Sequence, residues 1–225
     1  MYRPSVDVVI PTWPNHYARF AYFSKCVWSL IRNLRGLSVQ THFYVSAESE
    51  QDPKKHWYGY ELTRFCQVMA IPLEWRDGPA DLGANMNAAI RMGTSDYVLL
   101  VQDDFELMKV LDLWDGVKWL RDHDYDLLRY MCSGTEFTGE LDGMRLVNID
   151  GKWSYGDNPH IRHRSFMDKY GWYAEGIPHA QSETQMLFHL VQQRAKIGAT
   201  KENLFRHVGE VTAVINDNRK RKVAR

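Results

Sequence analysis

Apolar residues recur along the chain in two alternating rhythms: short continuous runs, and longer stretches with a period of three to four. Val6 to Ile10 is a β-branched run closed by Pro11-Thr12-Trp13-Pro14, which predicts a strand and then a loop that cannot extend it. From Ala18 to Leu34, the residues Phe20, Phe23, Val27, Leu30, Ile31 and Leu34 fall at helical spacing, with Gly36 as the stop. Val39 to Val45 reads as a second strand, with Ser46-Ala47-Glu48-Ser49 as a polar loop at its end. A helix is expected from Pro53 to Met69, proline standing in its first turn, and a third strand from Ile71 to Trp75. Arg76-Asp77-Gly78-Pro79 is a turn, and Leu82 to Met92 a helix stopped by Gly93. Tyr97-Val98-Leu99-Leu100-Val101 then reads as a strand buried on both faces, of the kind found inside a parallel sheet.

Strand and helix have alternated four times, so the economical fold class is α/β, a mainly parallel central sheet with flanking helices. Ligands of such sheets bind beyond the carboxyl ends of the strands. The polar segments at Thr12, Glu48 and Asp77 and the run Gln102-Asp103-Asp104 are therefore expected to converge on one edge. The second half changes character. Val110 to Asp122 reads as an amphipathic helix and Leu127 to Met131 as a strand, while Thr135 to Trp153 alternates and carries two hairpin signals, Asp142-Gly143 and Asp150-Gly151. Ile161 to Tyr170 is expected to be a short helix capped by Gly171, and Ser182 to begin a last helix that runs to Ile197 and stops at Gly198. A small β-hairpin/helix addition thus belongs to the C-terminal half. No repeat or linker splits the chain, so residues 1–217 are read as a single domain followed by a basic tail over 218–225.

Composition narrows this little. The chain has 225 residues, with acidic and basic side chains balanced at 28 each, so nothing pulls it as a whole toward nucleic acid or an anionic membrane. The tail Arg219 to Arg225 is either solvated or a contact for phosphate, in a membrane or in nucleic acid. Cys26, Cys66 and Cys132 fit neither a disulfide framework nor a zinc pattern, which argues for a reducing compartment. With no signal peptide and no transmembrane segment, a cytoplasmic location is expected, with peripheral membrane contact left open.

The chemistry starts at Asp103-Asp104. Adjacent carboxylates at the end of a buried strand repel each other and lose hydration, at a cost of roughly several kcal/mol. Mg or Mn removes that cost, because carboxylate oxygens are the hard ligands these ions prefer. The competing reading is that one acid caps the next helix or lies in solvent. No dinucleotide glycine fingerprint, phosphate-binding glycine-lysine loop, nucleophile elbow or His-Glu-x-x-His is present.

Over residues 5 to 210 the sequence resembles glycosyltransferases of the GT-A fold (nucleotide-diphospho-sugar transferase-like), nearest in pattern to the inverting enzymes of family 2. Val8-Val9-Ile10-Pro11-Thr12 is similar to the family's opening strand and Pro-Thr/Ser loop, and Gly83-Ala84-Asn85-Met86-Asn87-Ala88 to the segment beneath the nucleotide. Tyr97 to Asp104 resembles the strand into the Asp-x-Asp motif, with Gln102 in place of the first acid. Gly171-Trp172-Tyr173-Ala174-Glu175 resembles the Gly-Gly-Phe-x-Glu element. The departures are Ser-Ala-Glu-Ser after the second strand, where Asp-Asp-Gly-Ser is usual, and Thr184 where a second acid is common.

What the resemblance implies is a metal-dependent transfer of sugar from a nucleotide-sugar donor, foremost a UDP- or GDP-sugar, to a glycan or other hydroxyl acceptor, with Mn or Mg as cofactor. Residues 1–104 would form the nucleotide-sugar-binding half and 105–217 the acceptor-binding half. Pro11, Thr12, Glu48, Asp77, Asn87, Gln102 and Asp103 would contact the donor, and Asp104 and His207 the metal. Glu183 would be the catalytic base; its competing role is to cap the helix that Ser182 begins. His207 is one of nine histidines, and its competing reading is a surface or core-edge residue. Arg162 and Arg164 would clasp the diphosphate or an anionic acceptor, unless the segment is a solvated helix face. Trp172 and Tyr173, with Trp153 and Tyr155, would stack on a sugar or base, or else belong to the core. Two alternatives stay open: action on a hydroxylated base in DNA, with the tail as phosphate anchor, and a catalytically silent nucleotide-sugar or glycan-binding module.

Overall fold

Val6, Val8 and Ile10 alternate with Val9 along the first strand, and all four are fully buried, so this strand is covered on both faces. The structure, a computed structural model, describes residues 4–13, 19–36, 39–48, 56–77, 81–151, 154–156, 158–177 and 179–209. The basic tail, Trp153, and the Gly78-Pro79 part of the expected turn lie outside them.

The elements in chain order are β1 (Ser5–Thr12), α1 (Arg19–Asn33), β2 (Leu34–Arg35), β3 (Gln40–Glu48), α2 (His56–Val68), β4 (Leu73–Arg76), α3 (Leu82–Met92), β5 (Tyr97–Leu100), β6 (Phe105–Leu107), β7 (Leu111–Asp112), α4 (Leu113–His123), β8 (Leu127–Arg129), β9 (Phe137–Leu141), β10 (Met144–Val147), β11 (His160–His163), α5 (Phe166–Tyr170), α6 (His179–Gln192), β12 (Ile197–Ala199) and β13 (Phe205–His207). The main sheet has the order β4-β3-β1-β5-β11-β8-β12-β10-β9. Its first four strands run parallel, as the alternating rhythm predicts. Beyond β5 the sheet is mixed: β11 runs antiparallel to both β5 and β8, β12 runs parallel to β8, and the β9–β10 hairpin closes the edge. Separate short pairs join β13 to β6 and β2 to β7.

Helices α1, α2 and α4 cover one face over a core that includes Phe23, Leu30, Leu62 and Val117. Helices α3, α5 and α6 cover the other over Met86, Ile90, Phe166, Met186 and Leu190. The Asp142-Gly143 turn of the β9–β10 hairpin has φ of 44° and 83°, the left-handed pair such a turn requires.

Four local expectations are corrected. Ser46 to Glu48 continue β3 instead of forming a loop, because they are in register with Glu74 to Arg76 on one side, while Ser46 and Ala47 meet Pro11 and Thr12 on the other. Ile161 to His163 belong to β11 and not to a helix: strands lie on both sides of them, and the helix starts only at Phe166. The last helix begins at His179 and ends at Gln192, which leaves Ile197 and Gly198 in β12. Gly198 is not a helix stop; a Cβ there would lie 2.4 Å from the Trp119 ring, so the residue answers to close packing across the sheet. Asp150-Gly151 makes a tight turn closed by the Gly151 N–H on the Asn148 carbonyl at 3.0 Å, with no second strand pair at it.

Near the amino end of β1, fully buried Asp7 accepts hydrogen bonds from the Ser95 N–H (2.8 Å) and hydroxyl (2.6 Å) and pairs with Arg164. Arg164 also donates to the Ser95 and Ile90 carbonyls. This network ties β1 and the turn before β5 to the segment after β11. Asp7→Ala should lower stability by about 3 kcal/mol, a fall of roughly 6–12 °C in Tm, through the partners left unpaired in the interior. Thermal unfolding followed by circular dichroism reads the effect.

Candidate functional site

The carboxyl ends of β1, β3 and β5 open onto a cleft lined by Pro11, Thr12, Trp13, Arg19, Glu48, Asp81, Leu82, Asn85 and Gln102, with about 440 Å³ of space including its mouth. The run Gln102-Asp103-Asp104 follows β5 directly, and both acids are buried. Thr12 donates from Oγ1 to Asp103 and shares a 2.5 Å hydrogen bond with the hydroxyl of buried Tyr58. Arg19, the first residue of α1, bridges the acids. Its Nε and Nη2 lie 2.9 and 2.5 Å from the two oxygens of Asp103, and its Nη1 lies 2.9 Å from Asp104 Oδ2. Burial pushes Asp103 above the ordinary carboxylate range despite Arg19. At Asp104 burial is outweighed by the hydrogen bond to His207 and by Arg19, which hold it below that range.

His207 reaches Asp104 through strand pairing. In the β6–β13 ladder it stands opposite Phe105, its ring stacked at 4.8 Å on the Phe105 ring, with Nε2 3.1 Å from Asp104 Oδ2. The Val208 N–H donates to the Asp104 carbonyl at 2.8 Å. A Cβ at Gly209 would come within 2.8 Å of Asp104 Oδ2, so a bare backbone is needed there. Asp104 Oδ1 is buried with no hydrogen-bond partner. An oxygen in that state beside an imidazole nitrogen is a chemically apt start for a divalent-ion site. No three His, Cys, Asp or Glu side chains form a metal cluster among the described residues. The pair therefore fits an ion whose other positions are filled by phosphate and water, as Mg-type sites commonly are.

Helix α3 organises the opposite wall. Asp81 caps it, accepting from the Ala84 N–H at 3.0 Å and, with its other oxygen, from the Gly176 N–H at 2.5 Å. Glu48 Oε1 accepts from the Asp81 N–H at 2.7 Å. Burial raises the Glu48 pKa against that N–H and the more distant Arg76. Asn85 faces the strands, donating to the Thr12 carbonyl at 2.9 Å and accepting from the Ser46 hydroxyl at 2.6 Å. Asn87 faces away from them. It donates to the Tyr173 carbonyl (2.9 Å) and Glu175 Oε1 (2.7 Å), and accepts from the Tyr173 N–H (3.1 Å). A Cβ at Gly83 would fall 2.1 Å from the Ala174 carbonyl, so only glycine lets segment 172–175 lie this close to α3.

Pro11, Thr12, Glu48 and Gln102 thus line one cleft, with Asp103 beneath it and Asp104 and His207 beside it. Asp77 is exposed beyond β4 and does not line this cleft, and Asn87 holds segment 173–175 instead. Arg164 belongs to the Asp7 network at the far end of the strands. Arg162 is buried on β11 between the Phe166 and Tyr173 rings, at 4.6 and 5.5 Å from their centroids. Tyr173 is also a core residue, its hydroxyl 2.7 Å from that of Tyr155, whereas Trp172 is exposed with Arg91 over its ring at 4.4 Å. Glu183 is half-buried on α6, inside the helix and not at its start, next to Ser182, whose hydroxyl donates to the Ala174 carbonyl at 3.1 Å. Sequence reasoning missed Arg19, Tyr58, Asn85 and Asp81. Two of these had a usable signal: Asp81 stands directly before the helix at Leu82, where an acid caps, and Asn85 stands two positions before Asn87, which puts the two amides on different sides of one helix.

No family model and no curated protein matches the chain. Among solved structures, S. aureus TarS 1-349 in complex with UDP matches with a TM-score of 0.61 and 15% identity, covering 89% of this chain and 59% of that one. A further structure of S. aureus TarS gives 0.59 at 15% identity, covering 89% and 36%. The mannosyltransferase PcManGT from Pyrobaculum calidifontis, in complex with GDP-Man and Mn2+, gives 0.60 at 12% identity, covering 91% and 56%. The chain has the GT-A fold. It spans less than two thirds of the length of each of these solved chains. Within this GT-A domain, no helix among the described residues is long and apolar enough to cross a membrane.

Both asparagines should prove structural. Asn85→Ala strands the Thr12 carbonyl and the Ser46 hydroxyl and should cost about 2 kcal/mol of stability. Asn87→Ala strands the backbone groups of Tyr173 on the other side of α3 and should cost a similar amount. Thermal melts test both.

Proposed function

We propose that this chain transfers a sugar from a nucleoside-diphosphate donor to a hydroxyl of a glycan or other acceptor, with inversion at the anomeric carbon. The observation that carries the reading is the Asp104–His207 pair, with its unmatched carboxylate oxygen, joined through Arg19 to a cleft formed by the ends of β1, β3 and β5. Support comes from the fold shared with a structure in complex with UDP and another in complex with GDP-Man and Mn2+.

In this reading residues 1–104 bind the donor and residues 105–217 the acceptor. Pro11, Thr12, Glu48 and Gln102 line the nucleoside side of the cleft, and Glu48, with a buried Oε2 lacking a hydrogen-bond partner, is the acid for the base or ribose. Asp104 and His207 would hold Mn or Mg, which would supply charge neutralisation at the departing diphosphate. Asp103 does not reach the ligand itself; it holds Thr12 and Arg19 in place. Glu183 accepts the proton of the acceptor hydroxyl as that oxygen attacks opposite the diphosphate. Trp172, exposed beside α3, offers an aromatic face for the acceptor ring.

A thermal-shift panel of UDP, GDP, CDP and dTDP, each with and without Mn, should show stabilisation by one nucleotide that increases with the ion, because ligands bound only by the native state raise its stability. No shift with any of the four would remove the proposal. Glu183→Gln should lower kcat by at least about 10²-fold while donor affinity stays close to that of the parent. Unchanged turnover would dismiss Glu183 as the base.

A further inference from the structure

The bridge made by Arg19 is lopsided. Asp103 receives the Arg19 Nε and Thr12 hydroxyl hydrogen bonds on Oδ2 and an ion pair from Nη2 on Oδ1, and is fully buried. Asp104 receives one Arg19 nitrogen only, on the oxygen that also faces His207, and its other oxygen has neither a hydrogen bond nor the ion pair that Asp103 Oδ1 makes. One arm of Arg19 is therefore an anchor, and the other a single bond to the carboxylate best suited to hold a divalent ion. The guanidinium is partly exposed and lines the same cleft as Thr12, Glu48 and Asn85.

Building on the glycosyl-transfer reading, we propose that Arg19 is a positioning residue that couples ion binding to nucleotide binding. Its Nη1, 2.9 Å from Asp104 Oδ2, keeps this oxygen from full service as a metal ligand. A diphosphate entering the cleft offers the guanidinium new acceptors, so Nη1 can leave Asp104 while Nε and Nη2 stay on Asp103. Asp104 Oδ2 is then released to serve beside His207. The ion alone competes with a resident positive charge; the ion with a diphosphate does not. Arg19 thereby selects donors that carry a diphosphate over nucleosides and monophosphates, which do not draw the guanidinium off as effectively.

The test is Mn2+ binding to the full chain, read from the electron paramagnetic resonance of the free ion, with and without UDP or GDP. The unmodified chain should bind Mn2+ weakly alone and at least about tenfold tighter with the nucleotide it prefers, a typical size for coupled ligands. Arg19→Met keeps the bulk and removes the charge, and should bind Mn2+ alone about tenfold tighter than the unmodified chain, with the nucleotide adding little. Arg19→Lys keeps one ion pair with Asp103 but cannot span both acids, and should move in the same direction by a smaller factor; it carries the test should the Met variant not fold. Adding Asp104→Asn to either variant should abolish the gain, which assigns it to this site. Equal or weaker Mn2+ binding in both Arg19 variants, or nucleotide coupling left at full strength in them, overturns the proposal. If no nucleotide binds to any form, the glycosyl-transfer reading and the coupling fail together. If nucleotide binds and the variants leave Mn2+ unaffected, only the role of Arg19 fails.

Discussion

Two carboxylates that follow one another out of a fully buried strand are the hardest feature of this molecule to accommodate, and one guanidinium makes them possible. Arg19 spans Asp103 and Asp104 from the opening residue of α1, so the helix and the end of β5 are fixed to each other by charge as well as by apolar packing. Thr12 and Tyr58 extend the same network into β1 and α2. Buried charges are tolerated only when their partners are held in good geometry, so the positions of β1, β5, α1 and α2 at this end of the sheet are all constrained by a single cluster. The cleft is the outer surface of that cluster.

The opposite wall has neutral fasteners. Asn85 and Asn87 leave α3 in different directions and satisfy backbone groups in two separate segments, the end of β1 and residues 173–175. Gly83 removes the side chain that would keep the second segment away. The sheet thus carries an ionic clamp under one side of the cleft and an amide clamp under the other. The charged side is suited to a charged ligand, while the amide side sets the shape of the wall.

Legibility in the sequence followed the range of the forces involved. The first four strands and α3 were readable because burial on two faces and amphipathic spacing leave direct traces in residue type; Leu82–Met92 came out with its true boundaries. The hairpin at Asp142-Gly143 was readable because its backbone angles demand those residues. The basic run His160 to His163 misled, since its place is decided by neighbours on both sides and not by its own composition. Gly198 misled for a related reason: a glycine needed for contact with Trp119 is indistinguishable in sequence from one that ends a helix. The acid pair was readable as adjacent carboxylates ending a buried strand and His207 through family resemblance, whereas Arg19 had no distinguishing mark, because a lone cation at the start of a helix says nothing about which acids it will meet.

Asp81 gives this arrangement a mechanical consequence. One of its oxygens starts α3 and the other holds Gly176, while its own N–H rests on Glu48 inside the cleft. A shift of the 174–177 stretch would therefore unseat the same carboxylate that sets the first turn of the helix along the cleft. The two rims of the opening behave as the ends of one short lever, with Asp81 as its fulcrum.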